Sequence, residues 1–106
     1  MQRQILKQMQ KMQEKMQSSL AQVQQELENA TVTGEAGGGA VVVTVTGHQE
    51  VRSVKIKPEV VDPADVEMLE DLVLVAMREA LEKSKALSME KMNRVASGLN
   101  LPPGLF

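Results

Sequence analysis

The sequence predicts an α/β chain of the α+β kind: a long N-terminal helix, a three-stranded antiparallel sheet and a long C-terminal helix. Three observations predict it. Residues 3–29 contain neither glycine nor proline and are dominated by Gln, Lys, Met, Leu and Glu, all good helix formers. The stretch VVVTVT at 41–46 is β-branched throughout, with the period of two that marks a strand. From Asp62 onward, capping residues lead into a second apolar-periodic stretch that reaches about residue 97.

The first helix carries one apolar stripe, because Met9, Met12, Met16, Leu20, Val23 and Leu27 recur three or four residues apart. At ~1.5 Å per residue this helix is about 40 Å long. A compact domain of this size has a radius of gyration of only about 13 Å. Part of the helix is therefore expected to project, or to lie against a second copy of the chain.

Three strands come next, over 31–35, 41–46 and 52–57, with Gly47-His48 as the tight turn between the second and third. In the third, Arg52, Val54 and Ile56 share one face and Ser53, Lys55 and Lys57 the other. The second helix is expected to start with Asp62 as N-cap and Pro63 at its first position. Val66, Leu69, Val73, Ala76, Ala80, Ser84 and Leu87 trace one stripe along it. Met68, Leu72 and Val75 trace a second, so this helix needs two neighbours: the sheet and another protomer. Ser88 is a candidate interruption, and Gly98 a stop. The tail LNLPPGLF cannot be helical around Pro102-Pro103 and is expected to pack onto the body. The chain thus reads as one domain over 1–106: a helical arm (1–29), a β-meander (30–58), a helix or broken helix (62–97) and an apolar tail (98–106).

Composition excludes much. Apolar residues make up 42% of the chain, with eight methionines, one phenylalanine and no tryptophan, tyrosine or cysteine. Without cysteine there is no disulfide framework, thiolate metal site or thiol nucleophile, and a reducing cytosol is the expected compartment. No apolar run approaches the roughly 20 residues of a membrane span, and the N-terminus lacks a signal-peptide core. Neither membrane attachment nor a small-molecule substrate is expected.

The stretch GEAGGGAVVVTVTG resembles a phosphate loop only in its glycines. Such a loop opens a helix, so that N–H groups and the helix dipole meet the anion. Here Gly37, Gly38 and Gly39 lead into a strand, and Ala40-Val41 stand where Lys and Ser/Thr would be needed. A hairpin joint is the reading. His48, the one histidine, sits in a predicted turn without Cys or acidic partners and makes no metal site. Asp62, Asp65, Glu67, Glu70 and Asp71 cluster where a helix begins, and capping and the helix dipole account for them. No catalytic residue, metal or cofactor is expected, and the chain does not read as an enzyme.

Charge is unevenly spread. Formal net charge is −2, yet Arg3, Lys7, Lys11 and Lys15 face only Glu14 in the first twenty residues. Residues 58–71 hold six acids and no base, and 72–97 hold five bases and three acids. The first four cations are spaced by four, so each step turns about 40° past a full turn and they form a slowly winding ridge. Such a ridge is either a solvated face or a track for phosphates. Met9, Met12 and Met16 beside it form a core or dimer seam, or an adaptable groove for apolar peptides. Single-strand binders stack bases on aromatic rings, and Phe106 alone supplies no platform. Any nucleic-acid contact is expected to be with a double-stranded backbone.

Taken together, LKQMQKMQEKMQ, GEAGGGAVVVTVTGHQEVRSVKI, VDPADVEMLEDLVLVAMREAL and SGLNLPPGL, in this order and spacing, resemble the YbaB/EbfC family of nucleoid-associated DNA-binding proteins. The likeness covers nearly the whole chain. Thr46 stands where the family often has Asn, and Met77 where it often has an aromatic. The resemblance implies a tweezer-like homodimer whose sheets meet at the centre, acting in the bacterial cytoplasm and nucleoid on double-stranded DNA with low sequence preference. It implies DNA contacts on the helical arms, which here carry Arg3, Lys7, Lys11 and Lys15, together with Lys83, Lys85, Lys91 and Arg94. Plastid relatives are linked to protein sorting, so the alternative is a chaperone- or sorting-related module using the Met-rich groove.

Overall fold

The computed structural model describes residues 2–98. Helix α1 spans Gln2–Asn29, and strands β1 (Thr31–Ala36), β2 (Val41–Thr46) and β3 (Val51–Ile56) form an antiparallel meander in the order β1-β2-β3. A 3₁₀ turn at Pro58–Val60 leads to helix α2, Val66–Gly98. The expectation for the tail at 99–106 lies outside the described residues.

Alternation along β2 decides which side of the sheet is covered. Val41, Val43 and Val45 are fully buried against α2, each contributing about 1.5–3 kcal/mol through loss of apolar surface to water. Val32, Leu69, Val73 and Met77 pack around them, with Ala76 and Ala80 at the point of closest approach. Gly34 makes that approach possible. A Cβ there would lie 2.0 Å from the Ala76 carbonyl oxygen and 2.4 Å from the Ala80 nitrogen. Small residues on both elements bring helix and sheet backbones into contact.

The three glycines at 37–39 all take left-handed φ values, from 64° to 88°, and turn β1 into β2. Each L-residue placed there would carry a left-handed penalty of about 1–2 kcal/mol. The stretch is a hairpin joint, as its sequence context indicates.

The second hairpin differs from the expected two-residue turn. Residues 47–49 form the loop, and Gln49, not Gly47, takes the left-handed position (φ 65°). Gly47 is needed for space: a Cβ would come 2.6 Å from Leu27 Cδ2. The Thr46 side-chain oxygen accepts from the backbone N–H groups of His48 (3.2 Å) and Glu50 (3.3 Å), so the hydroxyl organises this loop. A bulge leaves Arg52 unpaired, since Thr44 opposes Ser53 and Val45 opposes Val51.

Helix α2 begins later than expected. Asp62 closes a turn, its Oδ1 accepting from Ala64 N–H at 2.9 Å, and the cap is Asp65, whose Oδ1 accepts from Met68 N–H at 3.3 Å. The helix then runs unbroken through Ser88. Serine costs little in a helix interior, and Leu87, Met92 and Val95 hold this stretch against α1.

The two helices lie side by side beyond the sheet. Val23 and Leu27 of α1 bury against Val95, with Met16, Leu20, Leu87 and Met92 around them. Among the described residues the N-terminal half of α1 has no such neighbour and extends as an arm, with extents of 76 × 21 × 16 Å and a radius of gyration of 20.3 Å.

Candidate nucleic-acid interface

The C-terminus of α1 is held by the second hairpin. Gly47 N–H donates to the carbonyls of Leu27 (2.9 Å) and Ala30 (3.1 Å). His48 Nε2 donates to the Gln24 carbonyl at 2.9 Å, and Arg52 Nη2 reaches the Glu28 carbonyl at 3.3 Å. These groups meet the negative end of the helix dipole and the unpaired carbonyls of the last turn. His48 is exposed in its turn and serves as an anchor for the arm. Alternation along the strand puts Arg52 with Val54 and Ile56, whereas the bulge frees it to reach α1.

All four ridge residues, Arg3, Lys7, Lys11 and Lys15, are exposed, and among the described residues none forms an ion pair. The ridge winds toward the side of α1 that meets α2. It arrives at Lys15, which lines a cleft between the helices with Ser19, Gln22, Glu26, Lys91 and Arg94. Cations far apart in sequence thus meet along one arm. Ser19 and Gln22 do not stand out in the sequence, because isolated polar residues on a helix carry no distinguishing spacing.

The cations of α2 are of two kinds. Lys91 Nζ lies 3.0 Å from Glu26 Oε2, its side chain only 18% exposed, and this pair bridges α2 to α1. Arg94 pairs with Glu90 at 2.7 Å, one turn back along its own helix. Lys83 pairs with Glu79 at 3.0 Å and also donates to the Thr33 carbonyl at 3.0 Å, tying α2 to β1. The hydrogen bond from Lys83, reinforced by its charge, holds the Glu79 carboxyl below the usual glutamate range. Lys85 is exposed and has no ion pair among the described residues. The eight cations therefore divide: among the described residues five form no ion pair, and Lys83, Lys91 and Arg94 are partly neutralised.

The acidic segment does not oppose the ridge. It lies at the start of α2, while Lys91 and Arg94 lie near its other end. From Val66 to Arg94 the helix rises about 42 Å, several times the screening length of about 8 Å at physiological salt. Local field at the arm is thus set by the arm's own charges.

A different surface is apolar. Helix α2 covers β1 and β2 but leaves Val54 and Ile56 of β3 exposed. Ile56, Leu69, Glu70, Val73, Leu74 and Met77 line an open apolar groove along this flank. Leu74 is 47% exposed and Val75 53%. Leu72, assigned from sequence to an outward stripe with Met68 and Val75, instead packs partly buried on the core beside Gly37. Among the described residues, no group of three or more His, Cys, Asp or Glu side chains could hold a metal ion, and no helix is long and apolar enough to cross a membrane.

A sequence model of the YbaB/EbfC DNA-binding family matches residues 1–99. A nucleoid-associated protein of Dictyoglomus turgidum is 50% identical over 101 residues, covering 95% of this chain and 93% of its own. Another, from Ruminiclostridium cellulolyticum, is 47% identical over 93 residues, covering 88% of this chain and 81% of its own. A third, from Bacillus cereus, is 52% identical over 87 residues, covering 82% and 80%. The crystal structure of an uncharacterized Helicobacter pylori protein superposes with a TM-score of 0.59 at 20% identity, over 80% of this chain and 92% of that one, a likeness of fold alone.

Proposed function

Because the chain belongs to the YbaB/EbfC DNA-binding family, we propose that it is a nucleoid-associated protein that grips duplex DNA through backbone phosphates, with low sequence preference. The observation that carries this reading is the free cationic ridge on the projecting arm, ending beside Lys91 and Arg94. Successive ridge cations are about 6 Å apart along the helix, facing a duplex that carries one negative charge per about 1.7 Å of axis. Contacts from these side chains to phosphate oxygens fix position and carry no base readout. The bacterial cytoplasm and nucleoid are the corresponding location, and no cofactor enters the mechanism.

The working unit in this proposal is a homodimer. The uncovered face of Val54, Ile56, Leu74 and Met77 is an apolar patch of the kind that marks an interaction surface, and joining two copies there leaves both arms free. Replacing Lys7, Lys11 and Lys15 together with Gln tests the reading. Binding should weaken alike on unrelated duplexes, and unchanged affinity would reduce the ridge to a solvated face. A second reading, a peptide-binding module, is favoured by one feature: Met9 and Met12 are 61% and 58% exposed on the arm. Titration with an apolar peptide beside duplex DNA separates the two.

A further inference from the structure

The arm has two faces, and gripping DNA uses only one of them. Ile5, Leu6, Met9 and Met12 stand 57–61% exposed on the N-terminal half of α1, beyond the stretch where Leu20, Val23 and Leu27 meet α2. At about 100° per residue these four side chains fall within an arc of about 120°. Among residues 2–15 that arc also holds Gln2 and Gln13, and no charge. Arg3 and Lys15 lie about 60° beyond its two edges. Lys7, Lys11 and Glu14 lie on the far side. The arm is thus a basic amphipathic helix, about 20 Å long, whose apolar face is uncovered among the described residues.

We infer that this face of the arm lies on an anionic lipid bilayer, with α1 parallel to the surface. Charge favours that occupant. Arg3, Lys7, Lys11 and Lys15 against Glu14 leave the stretch three charges positive, and clusters of about four or more Lys and Arg on an amphipathic helix are drawn to anionic headgroups. Width favours it too. A partner helix meets a narrow seam, but Leu6 stands about 60° from Met9 and about 120° from Met12. So broad an arc suits a plane better than a second helix. Arg3 and Lys15, one beyond each edge, run their apolar stems along the acyl boundary and place their charges among the headgroup phosphates, while Lys7 and Lys11 stay in water. The apolar side chains then enter the headgroup boundary to a depth of about 5–10 Å. No helix among the described residues is long and apolar enough to cross a membrane, and a surface contact needs neither a span nor a signal segment. The inference goes beyond DNA binding and does not depend on it.

The test uses the full chain with two kinds of vesicle: phosphatidylglycerol and phosphatidylcholine in equal parts, and phosphatidylcholine alone. The protein should sediment with the anionic vesicles and not with the neutral ones, and added salt should weaken the binding. Ile5→Gln, Met9→Gln and Met12→Gln together leave the ridge intact and keep the helix, because Gln is a good helix former. This variant should bind the anionic vesicles about ten-fold more weakly or worse, with helical circular dichroism unchanged and affinity for duplex DNA equal to that of the parent. Arg3→Gln with Lys15→Gln should weaken vesicle binding about 25-fold, at roughly five-fold for each charge near the surface. Lys7→Gln with Lys11→Gln should weaken it less. Equal binding to neutral and anionic vesicles would overturn the inference. So would an apolar-face variant that binds as tightly as the parent, since the contact would then be adsorption by charge alone. A parent chain that captures an apolar peptide and ignores anionic vesicles would assign the face to a peptide instead.

Discussion

Ser84 Oγ donates a 2.6 Å hydrogen bond to the Thr46 carbonyl oxygen and accepts one from Gln49 N–H at 3.1 Å. Both Ser84 and Thr46 are fully buried. One hydroxyl on α2 thereby holds the hairpin that in turn grips the C-terminus of α1. Body and arm meet at this point. Ser84→Ala removes both bonds, and since Gln49 N–H still donates to the Thr46 carbonyl at 3.0 Å, the expected loss is about 1–2 kcal/mol. Urea denaturation measures it, and amide exchange should quicken at Gln49 before it does in β2.

Gly34 is where helix and sheet touch. Any Cβ there meets backbone on α2, not a movable side-chain end. Gly34→Ala should therefore destabilise by about 3 kcal/mol or more, at the upper end of overpacking costs. Gly38 supplies the contrast, because a Cβ there meets nothing within 4 Å. Gly38→Asn should cost less than about 1 kcal/mol, since Asn tolerates the left-handed conformation. Thermal unfolding of the two variants side by side checks both values.

Leu74 distinguishes assembly from folding. It lines the uncovered groove and makes little contact with its own core, whereas Leu72 packs beneath Gly37. Leu74→Glu should convert a dimer to a folded monomer, read by sedimentation at micromolar concentration with helical circular dichroism retained. Leu72→Asp should instead unfold the protomer, because it places a charge against its own core. A parent chain that sediments as a stable monomer would exclude the dimer.

Ridge cations should dominate the salt dependence of DNA binding. With four per arm and two arms, log K should fall against log salt with a slope of about −4 to −7, allowing for incomplete engagement. Replacing Lys7, Lys11 and Lys15 with Gln should flatten that slope by several units, with helicity kept because Gln is nearly as good a helix former. Arg94→Gln should change it by less than one third as much, since Arg94 is already paired with Glu90. An effect of Arg94→Gln as large as one third of the ridge variant's would show that the ion pair opens at no cost on binding.

By itself the sequence determined the elements and their order. Local periodicity and turn chemistry act over a few residues and are written in adjacent positions, so the α1 stripe, the alternation in β2 and the glycine joint were legible. The spacing of Arg3, Lys7, Lys11 and Lys15 was legible for the same reason, and a single helix sets their geometry. Only the tertiary structure decided the rest. Gly34 in TVTGEA reads as a weak strand residue until α2 crosses it. Ser84 reads as a small residue on an apolar stripe until Thr46 and Gln49 arrive from across the chain. Lys91 reads as equivalent to Lys85, yet its partner Glu26 lies 65 residues away on another helix. The start of α2 shifted from Asp62 to Asp65 because two acids three apart both suit a cap, and the packing of the next turns selects one. Close approach, burial and charge neutralisation depend on which surfaces meet, and that is fixed by packing over the whole chain, not by spacing within any one segment.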